Sequence, residues 1–425
     1  MLQAVTNHPH YSRLFQWTKL LSITGGAQVL VQALGMISGI LVIRLLPTQE
    51  YALYTLANTM LGTMTILADG GITTGVMAQG GKVWQNKQKL GSVLATGFDI
   101  RKKFAFVSLL ISMPILLVLL RHHGASWLMS ALLILSLIPA FFMVLSGSML
   151  EIVPRLCQDI TPIQKVQVGV NIGRFAMLGL TLFIFPWAFI AVIAAGLPQF
   201  RGNLELKKIT SKHADWNVAP DENVRKEILD FVKRIFPTAV YYCVSGQITI
   251  WLISIFGSTD AVAKMGALGR LAMTISLFNV LFATLISPRF ARLPINKQLL
   301  LKRFYQIQGG LLLIALSAVT FAWFFNTQLL WLLGAKYAGL RTELVLNILG
   351  SCLSLIAGVT FNLYTSRGWA IKPIFSISIN IITIAAAVML LDISTLQGIL
   401  LLNVFIALIQ VVMNVIYMRI KLNRC

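Results

Sequence analysis

Charge is what this chain has least of. Asp, Glu, Lys and Arg together make up 12% of its 425 residues and apolar side chains 57%, against roughly 25% and 45–50% in water-soluble domains. So little charge cannot dress the surface of a soluble core of this length, which sets aside soluble enzymes and soluble binding modules. Acids are the scarcer sign, 14 against 35 Lys and Arg. No Gly-rich phosphate loop of the Walker type occurs, so energy from ATP is not expected. Nor is there a long polar segment on the outer side with the paired carboxylates that a membrane polymerase or glycosyltransferase needs for acid/base work. The four cysteines, Cys157, Cys243, Cys352 and Cys425, form no CxxC pair, so neither a disulfide nor a metal site is expected. Of the five histidines none falls within an apolar span; His122 and His123, in an outer turn, read as solvated residues rather than ligands.

What is present is a succession of apolar runs. Ile23 to Leu46 and Tyr51 to Ala78, joined by Pro47-Thr48-Gln49-Glu50, form a hairpin of two segments, each long enough to cross about 30 Å of hydrocarbon as a helix. Further runs lie at 104–120, 126–150, 163–185, 187–200, 235–256, 263–287, 304–330, 343–365, 373–391 and 396–418. The expected fold class is therefore an all-α polytopic membrane protein of about twelve transmembrane helices. The first run is too long for the h-region of a cleavable signal and is read as an anchor.

The formal charge of +21 takes its meaning from where the cations lie. With the N-terminus placed inside, 28 of the 35 Lys and Arg fall in cytoplasmic segments and five in outer ones. That asymmetry places both termini in the cytoplasm and makes the number of spans even. The basic balance is thus topology and contact with membrane lipids, with no call for a nucleic-acid partner.

Polar residues inside the spans carry the functional signal. The second span presents Thr55, Asn58, Gly62, Thr65, Asp69 and Thr73 on one face. An acid inside the bilayer costs roughly 2.5–3.5 kcal/mol on insertion scales and so faces a cavity or a partner. The fifth span shows Gln167, Asn171 and Arg174 at i, i+4 and i+7, with the arginine too deep to snorkel. Arg270 lies about 9 Å below Lys264 in the eighth span, with Gly266 and Thr274 on its face. The tenth span has the row Asn347, Ser351, Ser354, Gly358 and Asn362, which reads first as a packing seam. Arg44, at the outer end of the first span, reads as a snorkelling anchor or as a cavity cation. Two arginines against one acid favour an anionic substrate, because guanidinium groups pair with phosphate and carboxylate oxygens in a fork. Asp69 is the candidate for ion coupling, by proton or Na+, with a structural ion pair to an arginine as the alternative.

The longest polar segment, 201–234, divides the chain into an N-terminal lobe (1–200) and a C-terminal lobe (235–425) of about six spans each. Within it Asp221 can cap an amphipathic helix whose apolar face is Val224, Ile228, Phe231, Val232 and Ile235. An even number of spans per half makes any repeat parallel. A shift of about 210 residues lays the hinge Pro47–Tyr51 on Gly257–Ala261 and Asp69 on Asn279.

Ile40-Leu-Val-Ile-Arg44-Leu-Leu-Pro-Thr-Gln-Glu50-Tyr51-Ala-Leu-Tyr54 with Asp69-Gly70-Gly71 resembles the opening hairpin of the polysaccharide transporters. These are the lipid-linked oligosaccharide (O-antigen) flippases of the multidrug/oligosaccharidyl-lipid/polysaccharide exporter (MOP) superfamily. Ser287-Pro288-Arg289-Phe290 and Leu332-Leu-Gly334-Ala-Lys336-Tyr337 agree with it. The resemblance implies a MATE-like pair of six-helix lobes around a central cavity, in a bacterial inner membrane. It implies translocation of an undecaprenyl-diphosphate-linked O-antigen or capsule unit from inner to outer leaflet, driven by an ion gradient, with a polysaccharide polymerase as a further partner. Arg174, Arg270, Asn171, Gln167 and Arg44 are the cavity residues expected to meet such a substrate. Two departures stand out: Ala52 where the family usually has Gly, and no acid around Gln247–Thr249 where many members carry Asp. A small-molecule or drug antiporter of the same fold is the alternative; it calls for more acid in the cavity than this chain supplies.

Overall fold

The structure, a computed structural model, describes residues 9–423 except 158, 283–285, 287–289, 291–292, 294–295, 366, 368 and 370. Residues 287–289 of the third resembling block therefore lie outside the described residues. Among those described there is no strand, and twelve helices have eighteen residues or more. They are α1 (Pro9–Leu45), α2 (Thr48–Asp69), α3 (Lys87–His122), α4 (Trp127–Leu150), α5 (Ile160–Ile184), α6 (Ala188–Thr210), α7 (Glu222–Phe256), α8 (Thr259–Leu281), α9 (Lys297–Phe324), α10 (Arg341–Thr365), α11 (Pro373–Leu390) and α12 (Leu396–Asn423). Six of them, α3, α4, α5, α9, α10 and α12, are long and apolar enough by length and composition to cross a membrane, and α1 and α11 each contain a shorter apolar stretch.

The chain forms two compact units, which are not simple sequence halves. Unit 1 comprises Met1–Ser38, Met60–Val118 and Ser126–Cys243; unit 2 comprises Gly39–Thr59, Leu119–Ala125 and Val244–Cys425. Unit 2 thus includes the C-terminal end of α1, the first half of α2 and the α3–α4 turn.

The second span is not the unbroken helix expected from its apolar run. It stops at Asp69 and resumes as a separate helix, Ile72–Val83. Gly70 and Gly71, between the two, have φ of 48° and 96°, backbone that only glycine adopts without strain. A Cβ on Gly70 would also fall 2.6 Å from the Phe236 ring. In the same way the basic stretch 80–103, which lies between the second and third apolar runs, is largely helical, and α3 begins at Lys87. Its residues Leu90, Val93, Leu94 and Ile100 are buried with Ile228 and Val232 of α7 in one apolar cluster, while Lys87, Lys89, Lys102 and Lys103 stay exposed. An amphipathic extension of this kind has too little apolar content for a hydropathy window to count it.

Segment 201–234, read from the sequence as a linker with its own amphipathic helix, is folded into unit 1. The first ten residues extend α6 and the last thirteen open α7, and the stretch between lies along α3. There the Asp215 amide donates to Lys87 O (3.1 Å), Ser92 Oγ donates to Ala219 O (2.9 Å), and the Asp221 amide donates to Thr96 Oγ1 (2.8 Å). Asp221 caps α7 by accepting from the amides of Asn223 (2.8 Å) and Val224 (3.4 Å), which satisfies donors that a helix start leaves unpaired.

In unit 2, α10 packs against α8, α9 and α12. Of its polar row Asn347 is buried in such a seam, Ser351 Oγ donates to Asn347 O of its own helix (2.8 Å), and Ser354 is exposed. Asn347 donates to Leu268 O (2.9 Å), Gln308 Nε2 of α9 donates to Thr360 Oγ1 (2.8 Å), and Asn414 donates to Ala357 O (3.1 Å) while accepting from the Tyr364 hydroxyl (3.2 Å). Buried polar groups inside an apolar bundle persist when paired like this.

Candidate functional site

The polar stripe of α5 opens onto a groove of about 570 Å³ within unit 1, walled by α5, the end of α4, the short helix Ile152–Leu156, α6 and Val31 of α1. Four amides line it, Gln164, Gln167, Asn171 and Gln199. Its charged lining among the described residues is Arg155, Arg174 and Glu151, a net charge of +1. Such a lining can hold an oxyanion at the guanidinium groups and hydroxyls at the amides.

Arg174 stands 14 residues from the start of α5 and 10 from its end, about 21 and 15 Å. Its Nε donates to Ala195 O of α6 (3.0 Å). Pro198 lies in the next turn of α6, and a proline without an N–H loosens the carbonyls one turn before it. A Cβ on Gly173 would lie 3.1 Å from Pro198 Cβ, so the small residue lets α5 and α6 approach there. Asn171 Nδ2 donates to Gln167 O (2.8 Å) and Gln167 Nε2 donates to Glu151 Oε1 (2.9 Å). Glu151 Oε2 also accepts from Arg155 Nη2, one turn further on. The sequence reading placed Glu151 and Arg155 in a connecting segment and gave neither a role. Their i, i+4 spacing at the end of an apolar span was the available signal.

Asp69, the expected ion site, is engaged at the break in the second span. Its Oδ1 accepts from the Thr73 amide (3.2 Å), from the Thr73 hydroxyl and from Arg101 Nη2. Arg101 is buried, 4% exposed, and donates as well to Leu145 O (2.8 Å), Ser148 Oγ (2.9 Å) and Thr73 Oγ1 (2.9 Å). Asp69 thereby ties the short helix to α3 and α4. Its partner is neither Arg174 nor Arg270 but an arginine counted from sequence among the loop charges. A helical row could have found it: Arg101, Ala105, Ser108 and Ser112 share one buried face of α3, while Lys102 and Lys103 face out.

The other two candidates lie in unit 2. Arg270 of α8 lies beside Tyr51 and Tyr54 of α2. Gly39 of α1 makes room for it, since a Cβ there would stand 2.9 Å from Arg270 Cδ. Arg44 donates through Nε to Leu332 O (2.8 Å) and through Nη2 to Trp331 O, with its guanidinium 4.9 Å from the Trp331 ring centroid. Lys336 Nζ donates in return to Leu46 O (3.1 Å). The structure thus gathers Gln167, Asn171 and Arg174 in one groove of unit 1, while Asp69, in the same unit, is bound at the break in the second span.

His123 departs from expectation. It is 4% exposed, with Nε2 against Ser254 O (2.9 Å) and Ser254 Oγ (3.1 Å) and Nδ1 against Thr259 Oγ1 (3.0 Å). A carbonyl partner requires Nε2 to carry the proton, so the neutral ring donates there and accepts from Thr259. Burial holds its pKa below the ordinary histidine value.

No protein-family model and no curated protein sequence matches the chain. Its fold matches solved structures over nearly its whole length. An inward-facing multidrug resistance MATE family transporter of the MOP superfamily superposes with a TM-score of 0.76 at 16% identity, covering 92% of this chain and 95% of that one. The lipid II flippase MurJ, in an inward closed conformation, gives 0.73 at 13% identity over 94% and 89%. A MOP superfamily transporter from Pyrococcus furiosus, described as having a binding pocket of reversed polarity, gives 0.63 at 15% identity over 95% of each chain. The fold is that of MOP transporters, and the chain is a multi-pass membrane protein. These neighbours are transporters and flippases, not enzymes.

Proposed function

We propose that the protein is a flippase that carries an undecaprenyl-diphosphate-linked oligosaccharide, an O-antigen or capsule repeat unit, from the inner to the outer leaflet of a bacterial inner membrane by ion-coupled alternating access. Both termini are cytoplasmic in this reading, as the distribution of Lys and Arg requires. The single observation that carries it is the groove of unit 1, where deep Arg174 and Arg155 supply cationic forks beside four amides. Guanidinium pairs suit the diphosphate or an acidic sugar, and amides suit sugar hydroxyls. Arg270, beside Tyr51 and Tyr54 within unit 2, is a further arginine assigned to the substrate in this reading. Two further lines support the reading: the resemblance of the opening hairpin to polysaccharide transporters and a fold shared with a lipid II flippase.

Export of a small drug or cation by the same fold is the second reading, and the superposition on a MATE transporter favours it. The net positive charge of the groove weighs against a cationic substrate. Replacing Arg174 by Ala is expected to abolish surface polysaccharide while the protein stays in the membrane at normal level. Unchanged surface polysaccharide overturns the proposal, and a drug-resistance phenotype on overexpression supports the second reading.

A further inference from the structure

Glu151 sits in the wrong place for a groove that attracts anions. Its side chain is only 14% exposed, at the junction of α4 and the helix Ile152–Leu156, and it lines the same cavity as Arg155 and Arg174. The carboxylate is held by an arginine and an amide, Arg155 Nη2 on one oxygen and Gln167 Nε2 (2.9 Å) on the other. Those are the two kinds of donor that a phosphate or sugar carboxylate would use. Arg155 itself is 53% exposed, so this guanidinium is accessible to a ligand entering the groove although its fork is already occupied.

We propose that Glu151 is a built-in competitor for the substrate's anionic group: in the empty groove its carboxylate occupies Arg155 and Gln167, and a bound oxyanion takes those donors in its place. The inference rests on the reading of the groove as an anion site. It adds a residue which makes release easier, because Glu151 recaptures both donors as the anion leaves. The groove then need not hold its ligand at the full strength of both arginines. Such a device keeps Arg155 and Gln167 partnered in both states; in the bound state it is the Glu151 carboxylate that gives up its donors, and that cost offsets part of the ligand's binding. The other charged groups lining the groove are Arg155, on Glu151's own turn, and Arg174 of α5; α6 and α1 contribute Gln199, Leu206 and Val31, which carry no charge.

The test is equilibrium binding to the purified full-length protein in detergent. One probe is farnesyl diphosphate, a lipid-linked diphosphate; the other is trigalacturonate, which offers carboxylates and no phosphate. Glu151→Gln keeps the size and the amide contact but removes the charge. It is expected to bind one of the two probes about 2- to 5-fold more tightly than wild type, the range for loss of one partly exposed ion-pair competitor. The probe that gains identifies the anion the groove takes. Arg155→Gln, which removes the contested donor, is expected to bind that probe more weakly than wild type. Should Glu151→Gln fail to give monodisperse protein, Glu151→Asp, with its carboxylate drawn back from both donors, is expected to tighten binding in the same direction by less. Equal or weaker binding of both probes by Glu151→Gln, when wild type binds one in an Arg174-dependent way, overturns the competitor role and leaves the anion site standing. Absence of Arg174-dependent binding of either probe, in wild type and variant alike, overturns the anion site itself.

Discussion

Replacing Asp69 by Asn separates an anchoring carboxylate from one that carries the coupling ion. Arg101, 4% exposed, would lose its charged partner, while the carboxylate it loses is 28% exposed. Breaking a buried pair by removing one member costs about 3–5 kcal/mol when the remaining charge has nothing else. Here Arg101 keeps the Leu145 carbonyl and the hydroxyls of Ser148 and Thr73, which brings the expected cost to about 2–3 kcal/mol. For a compact unit of this size each kcal/mol moves the unfolding midpoint by about 2–4 °C. Thermal unfolding of the purified protein should therefore fall by about 4–12 °C. Adding Arg101→Met should recover most of that loss, because it removes the buried guanidinium left without a carboxylate and leaves a neutral pair. If Asp69 only anchors the break in the second span, the double variant also regains surface polysaccharide. If it carries the coupling ion, the double variant is stable and inactive. The reasoning is refuted if Asp69→Asn unfolds within about 1 °C of wild type, or if the double variant is as unstable as the single one.

Two other perturbations follow from particular contacts. Gly39→Ala places a methyl group 2.9 Å from Arg270 Cδ; the flexible side chain can swing away, so the unfolding midpoint should barely move while export falls, and unimpaired export would show that the position of Arg270 is unimportant. His123 is neutral in the fold, with its pKa lowered by burial, so below the ordinary value of about 6.5 the unfolded chain binds a proton that the folded one refuses. Stability should decline as pH falls from about 6.5 through the depressed folded value, and His123→Gln should flatten that part of the profile of midpoint against pH.

The helical order of the chain was legible because apolar runs of about twenty residues have few other fates, and the junction at Pro47 because proline ends one helix and opens the next. The stripe Gln167, Asn171, Arg174 was legible for the same reason of periodicity, and all three line one groove. What escaped lies where helices leave the apolar window. Arg101 stands beside Lys102 and Lys103 and looked like loop charge, yet a rotation of 100° per residue sends it inward and its neighbours outward. Its partner Asp69 is 32 residues away, and nothing local reports that distance. His123 escaped because burial in a turn depends on Ser254 and Thr259, more than 130 residues on. The pair Gly70-Gly71 was visible but was read through, since a long apolar run outweighed two residues that permit left-handed backbone.

The segments that carry the resemblance do a different job from the groove. Arg44, in the first block, holds two carbonyls of the chain at Trp331 and Leu332, and Lys336, in the last, holds the carbonyl of Leu46. Gly334 between them, at φ 113°, supplies the turn that brings Lys336 back. These contacts tie the end of α1 to the helix Asn326–Leu333 within unit 2, and they bind backbone, which is insensitive to the side chains around it. Residues of this kind mark a fold, because any substrate leaves their partners unchanged. Glu151, Arg155, Gln164, Gln167 and Arg174 fall outside every one of those blocks. If the groove is where a glycan is chosen, the choice is written in positions that a fold-defining motif does not include. Two proteins sharing the clasp of Arg44 and Lys336 would then differ in substrate through the groove alone.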